Sequence, residues 1–133
     1  MPGSGKNAVG KALALQIGME YYDTDALIEE QEGKDTTRIF AENGEKYFRD
    51  AETEMSKKVS SLGGAVISTG GGTMMRPENA RALRRTGYVF FVNRPVEEIL
   101  ESVDLSNRPL LAGDPKQIYK LYADRLPTYR AVA

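Results

Sequence analysis

Cysteine and histidine are both absent from the 133-residue chain. Without cysteine there can be no disulfide, no zinc–thiolate centre and no thiol nucleophile. Without histidine there is no imidazole base, no Ser–His dyad and no imidazole-ligated metal. Acid–base chemistry therefore falls to carboxylates, Lys or Tyr, and any metal must sit on oxygen ligands. A surplus of charge is also lacking: 18 Lys and Arg balance 19 Asp and Glu, for a net charge of −1. That balance argues against a nucleic-acid or anionic-membrane partner, since both call for a basic excess. No apolar run approaches the ~20 residues of a membrane span, and the N-terminus has no basic-then-apolar signal segment. A cytoplasmic protein is expected.

What is present reads as one domain over residues 1–133, without repeats or linkers. A glycine-rich start, Gly3-Ser4-Gly5-Lys6, precedes a helical pattern with Val9, Leu13 and Ile17 on one face and Gly18 at its end. Met19–Tyr22 reads as a strand running into Asp23-Thr24-Asp25. Helices are expected over Ala26–Glu32 and Thr36–Leu62, the second broken at Asn43-Gly44. Ala65–Thr69 is a β-branched run ending in Gly70-Gly71-Gly72. A helix opens at Pro77 and closes before Gly87. Tyr88–Val92 is the most apolar expected strand. Pro95 opens another helix to about Ser102, 104–115 is rich in loop formers, and Lys116–Ala133 returns to helix, interrupted at Pro127. Strands alternating with helices imply βαβ units and a mostly parallel sheet with helices on both faces.

Several stretches carry chemistry. Glycines before a helix let backbone N–H groups surround a phosphate, with the helix N-terminus adding positive potential and Lys6 reaching the outer phosphates. The phosphate-loop pattern is partial, because its first glycine would precede Met1 and Asn7 stands where a hydroxyl residue is usual. Asp23 and Asp25, two apart at a strand end, suit a ligand edge, one carboxylate for a hydroxyl proton and one for Mg²⁺ waters; a helix N-cap at Asp25 is the plainer alternative. Arg49 and Glu52 are three apart on one helix face, an arrangement that holds a guanidinium ready for an anion. Three consecutive glycines at 70–72 suggest a close backbone approach to a ligand, or a simple loop. Arg108 lies in a loop suited to a mobile arm. Arg125 and Arg130 flank Pro127 and, alone, read as solvated.

In combination these stretches resemble the shikimate kinase family over nearly the whole chain. The matching stretches are Gly-Ser-Gly-Lys at 3–6, Asp-Thr-Asp at 23–25, Gly-Glu-Lys-Tyr-Phe-Arg-Asp-Ala-Glu at 44–52, Ser-Thr-Gly-Gly-Gly at 68–72, Arg-Pro-Leu-Leu at 108–111 and Arg-Leu-Pro-Thr-Tyr at 125–129. The resemblance implies a three-layer α/β/α fold with a parallel sheet, of the phosphate-loop, nucleoside-monophosphate-kinase-like type. It also implies a lid at about 104–115 and transfer of the ATP γ-phosphoryl group to a shikimate hydroxyl with Mg²⁺. Gly3, Ser4, Gly5, Lys6, Asn7 and Ala8 would hold ATP, with Arg108 folding over it. Asn7 and Asp23 would serve the metal. Asp25 would orient or deprotonate the attacking hydroxyl, Arg49 and Arg125 would hold the substrate carboxylate with Glu52 behind Arg49, and Gly70, Gly71 and Gly72 would meet the substrate by backbone. A monomer is expected.

The chain departs from the family pattern in three ways. Asn7 replaces the hydroxyl residue, and Glu101 stands about where an adenine-stacking Arg is usual. The family pattern has a strand before its phosphate loop and a strand and helix after the region where this chain stops, so either a longer native protein or another segment filling the gap is expected. Another phosphate-loop kinase, of gluconate or nucleoside monophosphate type, or a ligand-binding protein without turnover, are the competing readings.

Overall fold

The computed structural model describes residues 4–102 and 117–133. Helix α1 (Lys6–Ile17) leads into β1 (Glu20–Asp23), α2 (Thr24–Glu32), α3 (Thr36–Asn43) and α4 (Glu45–Ser60). Strand β2 (Ala65–Ser68), a 3₁₀ turn (Thr73–Met75), α5 (Pro77–Thr86), α6 (Val96–Ser102) and α7 (Gln117–Val132) follow. Among the described residues, β1 and β2 form a parallel pair, Glu20 opposite Ala65 and Asp23 opposite Ser68. Parallel neighbours need a long crossover, and α2, α3 and α4 supply it. No described helix is long and apolar enough to cross a membrane.

Apolar residues at helical spacing build the core. Phe48, Met55 and Val59 of α4 are buried with Ile28, Ile39, Ala80, Leu83, Ile99 and Ile118. Glycine closes several helices, Gly18 at φ 69° and Gly33 at φ 70° ending α1 and α2 in the left-handed region.

Four expectations are corrected. Residues 88–92 are not a strand. Their alternation survives, with Val89 and Phe91 packed on the core while Tyr88 is 93% and Phe90 79% exposed. Extended backbone becomes a strand only when a neighbour exchanges N–H and C=O with it, and no described strand does so. The face of α1 carrying Val9, Leu13 and Ile17 is exposed, and the helix instead seats Gly10 and Ala14. A Cβ at Gly10 would lie 2.8 Å from Ser68 Oγ and 2.9 Å from the Tyr21 ring. Close approach to the strands, rather than an apolar stripe, therefore decides which way α1 faces.

The third correction is at the start of α2, which begins at Thr24 because Asp23, not Asp25, is its N-cap: Asp23 accepts from the Asp25 backbone N–H at 3.0 Å. The fourth is that α7 runs unbroken through Pro127. The carbonyl that proline leaves without a helical donor belongs to Ala123, an exposed residue open to water.

Candidate functional site

The site begins where a charge stands in an apolar stripe. Among the buried positions of α4, Phe48, Glu52, Met55 and Val59 are spaced as one helix face. Glu52 thus occupies a core position, its side chain only 1% exposed. A buried carboxylate needs partners, and it has two. Arg49 Nη1 donates to Glu52 Oε2 at 2.7 Å, and Thr73 Oγ1 donates to Oε1 at 3.1 Å. Arg49 lies over Phe48 and Phe40, its guanidinium carbon 5.6 and 5.8 Å from their ring centres. Glu45 Oε1 approaches its other nitrogen at 3.5 Å.

The glycine turn explains itself against these groups. A Cβ at Gly70 would stand 2.6 Å from Asp25 Oδ1 and 2.8 Å from Glu52 Oε1. One at Gly72 would run into the Arg49 guanidinium, 2.6 Å from its carbon. Space for a side chain has been given over to two carboxylates and an arginine. The turn is fixed from outside: Asn79 Nδ2 donates to Thr73 O at 2.9 Å, and the Tyr129 hydroxyl donates to Gly71 O at 2.5 Å.

Asp25 faces the same space. Its Oδ1 is buried without a hydrogen-bond partner, an acceptor left for a ligand. Burial, then the neighbouring Glu52 carboxylate, push its pKa up to about 6, against the pull of Lys6. Arg125 is buried on α7, on the stripe that also carries Ile118 and Tyr129. The solvated reading of Arg125 is therefore corrected, while Arg130 is exposed.

The phosphate-loop side is more open. Gly5 turns at φ 84° to start α1, and no side chain caps the helix. Tyr21 OH donates to Ser68 Oγ at 2.9 Å, and Ser68 Oγ donates to Lys6 O at 3.4 Å, so the sheet anchors the first turn. Asn7 Nδ2 donates to Asp23 Oδ2 at 2.9 Å, so the amide nitrogen faces Asp23 and the carbonyl oxygen is the side chain's acceptor atom. Among the described residues no cluster of three acidic side chains gathers for a metal.

The structure brings together Asp25, Arg49, Glu52, Gly70, Gly71, Gly72 and Arg125 near one turn, with Lys6, Asn7 and Asp23 beside it. Gly3, Arg108, the 104–115 loop and the Glu101 side chain lie outside the described residues. Sequence reasoning passed over Thr73, Asn79 and Tyr129. Tyr129 had a signal: it stands one helical turn after Arg125 and shares its face.

A model of the shikimate kinase family matches residues 2–133. The shikimate kinase of Clostridium botulinum is 39% identical over 130 residues, 98% of this chain and 78% of that protein. That of Chromohalobacter salexigens is 42% identical over 134 residues, 98% of this chain and 74% of its own length. Among solved structures, shikimate kinase from Acinetobacter baumannii in complex with shikimate has a TM-score of 0.94 and 37% identity, covering 98% of this chain and 75% of that one. Shikimate kinase from Aquifex aeolicus has a TM-score of 0.85 and 34% identity, covering 98% and 79% respectively.

Proposed function

From the premise that this chain belongs to the shikimate kinase family, we propose that it transfers the γ-phosphoryl group of ATP to a hydroxyl of shikimate, on the residues gathered at the glycine turn. The observation that carries the assignment of roles is the unpartnered Asp25 oxygen beside a fixed Arg49–Glu52 pair and the buried Arg125. Two guanidiniums suit a carboxylate, and an unsatisfied carboxylate acceptor suits a hydroxyl. Arg49 and Arg125 hold the shikimate carboxylate. Asp25 accepts the hydrogen of the attacking hydroxyl. With a pKa near 6 it is ionised at neutral pH yet more basic than an ordinary carboxylate. The hydroxyl oxygen bonds to the γ-phosphorus as the bond to the β–γ bridging oxygen breaks. ADP leaves, and the hydroxyl proton goes to Asp25.

The amides of Ser4 to Ala8 and the Lys6 ammonium hold the phosphates at the start of α1. The donor set of Asp23 and Asn7 fits Mg²⁺, which prefers hard oxygens and takes few of them from the protein. Those two residues would hold the ion or its waters, and it would neutralise charge on the β- and γ-phosphates. A coupled ADP-release assay with shikimate, and separately with gluconate, tests the proposal. Shikimate-dependent turnover is expected. Turnover with gluconate alone would move the chain to the other kinase reading, and none with either would favour binding without catalysis.

A further inference from the structure

Tyr129 has no role in the reaction just described, yet its hydroxyl lies at the centre of the site. It donates to Gly71 O at 2.5 Å. Arg125 stands one turn earlier on the same face of α7, and both side chains are buried. The Tyr129 ring packs on Phe91 with centroids 5.0 Å apart, so the phenol's aim is set by the core. Resting on the substrate reading above, we infer that Tyr129 is a positioning residue for shikimate binding: its hydroxyl ties the glycine turn to Arg125, fixing the distance between the backbone that meets the substrate and the guanidinium that holds its carboxylate.

The chemistry of the group supports this assignment. A phenol both donates and accepts, so one oxygen can give its hydrogen to the Gly71 carbonyl while taking one from the Arg125 guanidinium. Burial raises the pKa of Tyr129, and the hydroxyl keeps the proton it donates. Arg125 is itself buried, where a charge-assisted donor left without an acceptor is costly. The hydroxyl lets the arginine wait in register before substrate arrives. A guanidinium misplaced by an ångström loses bidentate contact with a carboxylate.

Tyr129→Phe removes the hydroxyl and keeps the ring on Phe91. The control is Tyr122→Phe on the same helix, whose hydroxyl donates to Asn93 Oδ1 at 3.1 Å. Steady-state kinetics of both variants and wild type are expected to show KM for shikimate raised about tenfold in Tyr129→Phe alone. In that variant kcat should stay within about threefold of wild type and KM for ATP should not move. Combined with Arg125→Lys, Tyr129→Phe should add little further loss, because both changes break one contact. An unchanged shikimate KM, an equal rise in ATP KM, an equal effect of Tyr122→Phe, or a double variant whose losses multiply would each overturn the inference. A wild-type protein that shows no shikimate-dependent ADP release defeats the substrate reading instead, so the two failures are told apart.

Discussion

At the glycine turn, the proposed substrate end of the site, Glu52 and Arg125 stand in the buried stripes of α4 and α7, and Arg49 is clasped between a carboxylate and two aromatic rings. At the start of α1, the proposed phosphate end, Lys6 and Asn7 open a helix without a side-chain cap, whose Val9, Leu13, Leu15 and Ile17 are exposed. One end uses core positions for charge and the other uses backbone geometry at a surface. Changes at the first should therefore disturb binding and stability together, while changes at the second should tune nucleotide and metal handling and leave the fold intact.

Asp25→Asn should break the comparison most sharply, since it opposes activity to stability. The amide cannot take the proton, so kcat should fall by about 10²–10⁴-fold. Stability should move the other way. The folded-state pKa of Asp25 is raised from 3.8 to about 6, so folding favours its protonated form. That contribution is fully present below the unfolded value of 3.8 and is lost as pH rises through about 6. At pH 7 the ionised carboxylate therefore costs on the order of 3 kcal/mol. Thermal unfolding at pH 7 should show a higher Tm for Asp25→Asn, and the gain should shrink towards pH 4. A lower Tm would mean that the ionised Asp25 stabilises the fold. In the wild type, kcat/KM for shikimate should decline as pH falls through about 6.

Arg49→Ala comes next. It removes one guanidinium from the substrate carboxylate, a loss of about 2–5 kcal/mol in binding, so the shikimate KM should rise well over tenfold with KM for ATP nearly unchanged. Equal losses for both ligands, measured by steady-state kinetics, would make Arg49 structural. Gly72→Ala tests the same end through shape alone. Its methyl would displace the Arg49 guanidinium, so it should raise the shikimate KM by about tenfold and lower Tm. The smallest effect is expected at the phosphate end. Asn7→Ser should lower the Mg²⁺ concentration for half-maximal activity and raise kcat/KM by up to ~10-fold, repairing one imperfect contact of ~1–1.5 kcal/mol. Isothermal titration of nucleotide without metal should be unchanged. An unaltered Mg²⁺ dependence would place the ion on other groups.

Local chemistry made much of this legible in the sequence. The Arg49–Glu52 pair follows from helical spacing, and the triple glycine marked a close approach, although to Asp25, Glu52 and Arg49 within the protein itself. Residues whose role depends on partners distant in the chain were not legible. Thr73 is 21 positions from Glu52 and Tyr129 is 58 from Gly71, and neither spacing leaves a periodic trace. The exposed stripe of α1 misled for the opposite reason. Its apolar period is real, but Gly10 lets the strands approach a different face. At 88–92 the alternation correctly separated inward from outward side chains, yet pairing is a property of neighbours and no single segment encodes it.

The stacking of Arg49 over Phe40 and Phe48 has a thermodynamic consequence. A long arginine side chain ordered only on binding forfeits about 0.5–1.5 kcal/mol of rotamer entropy at that moment. Here the rings, Glu52 and Glu45 restrain the guanidinium when the chain folds, so that ordering is already complete when an anion arrives. Calorimetry of shikimate binding should accordingly show a smaller entropic opposition in the wild type than in Phe40→Leu, which keeps an apolar contact but removes one face of the stack.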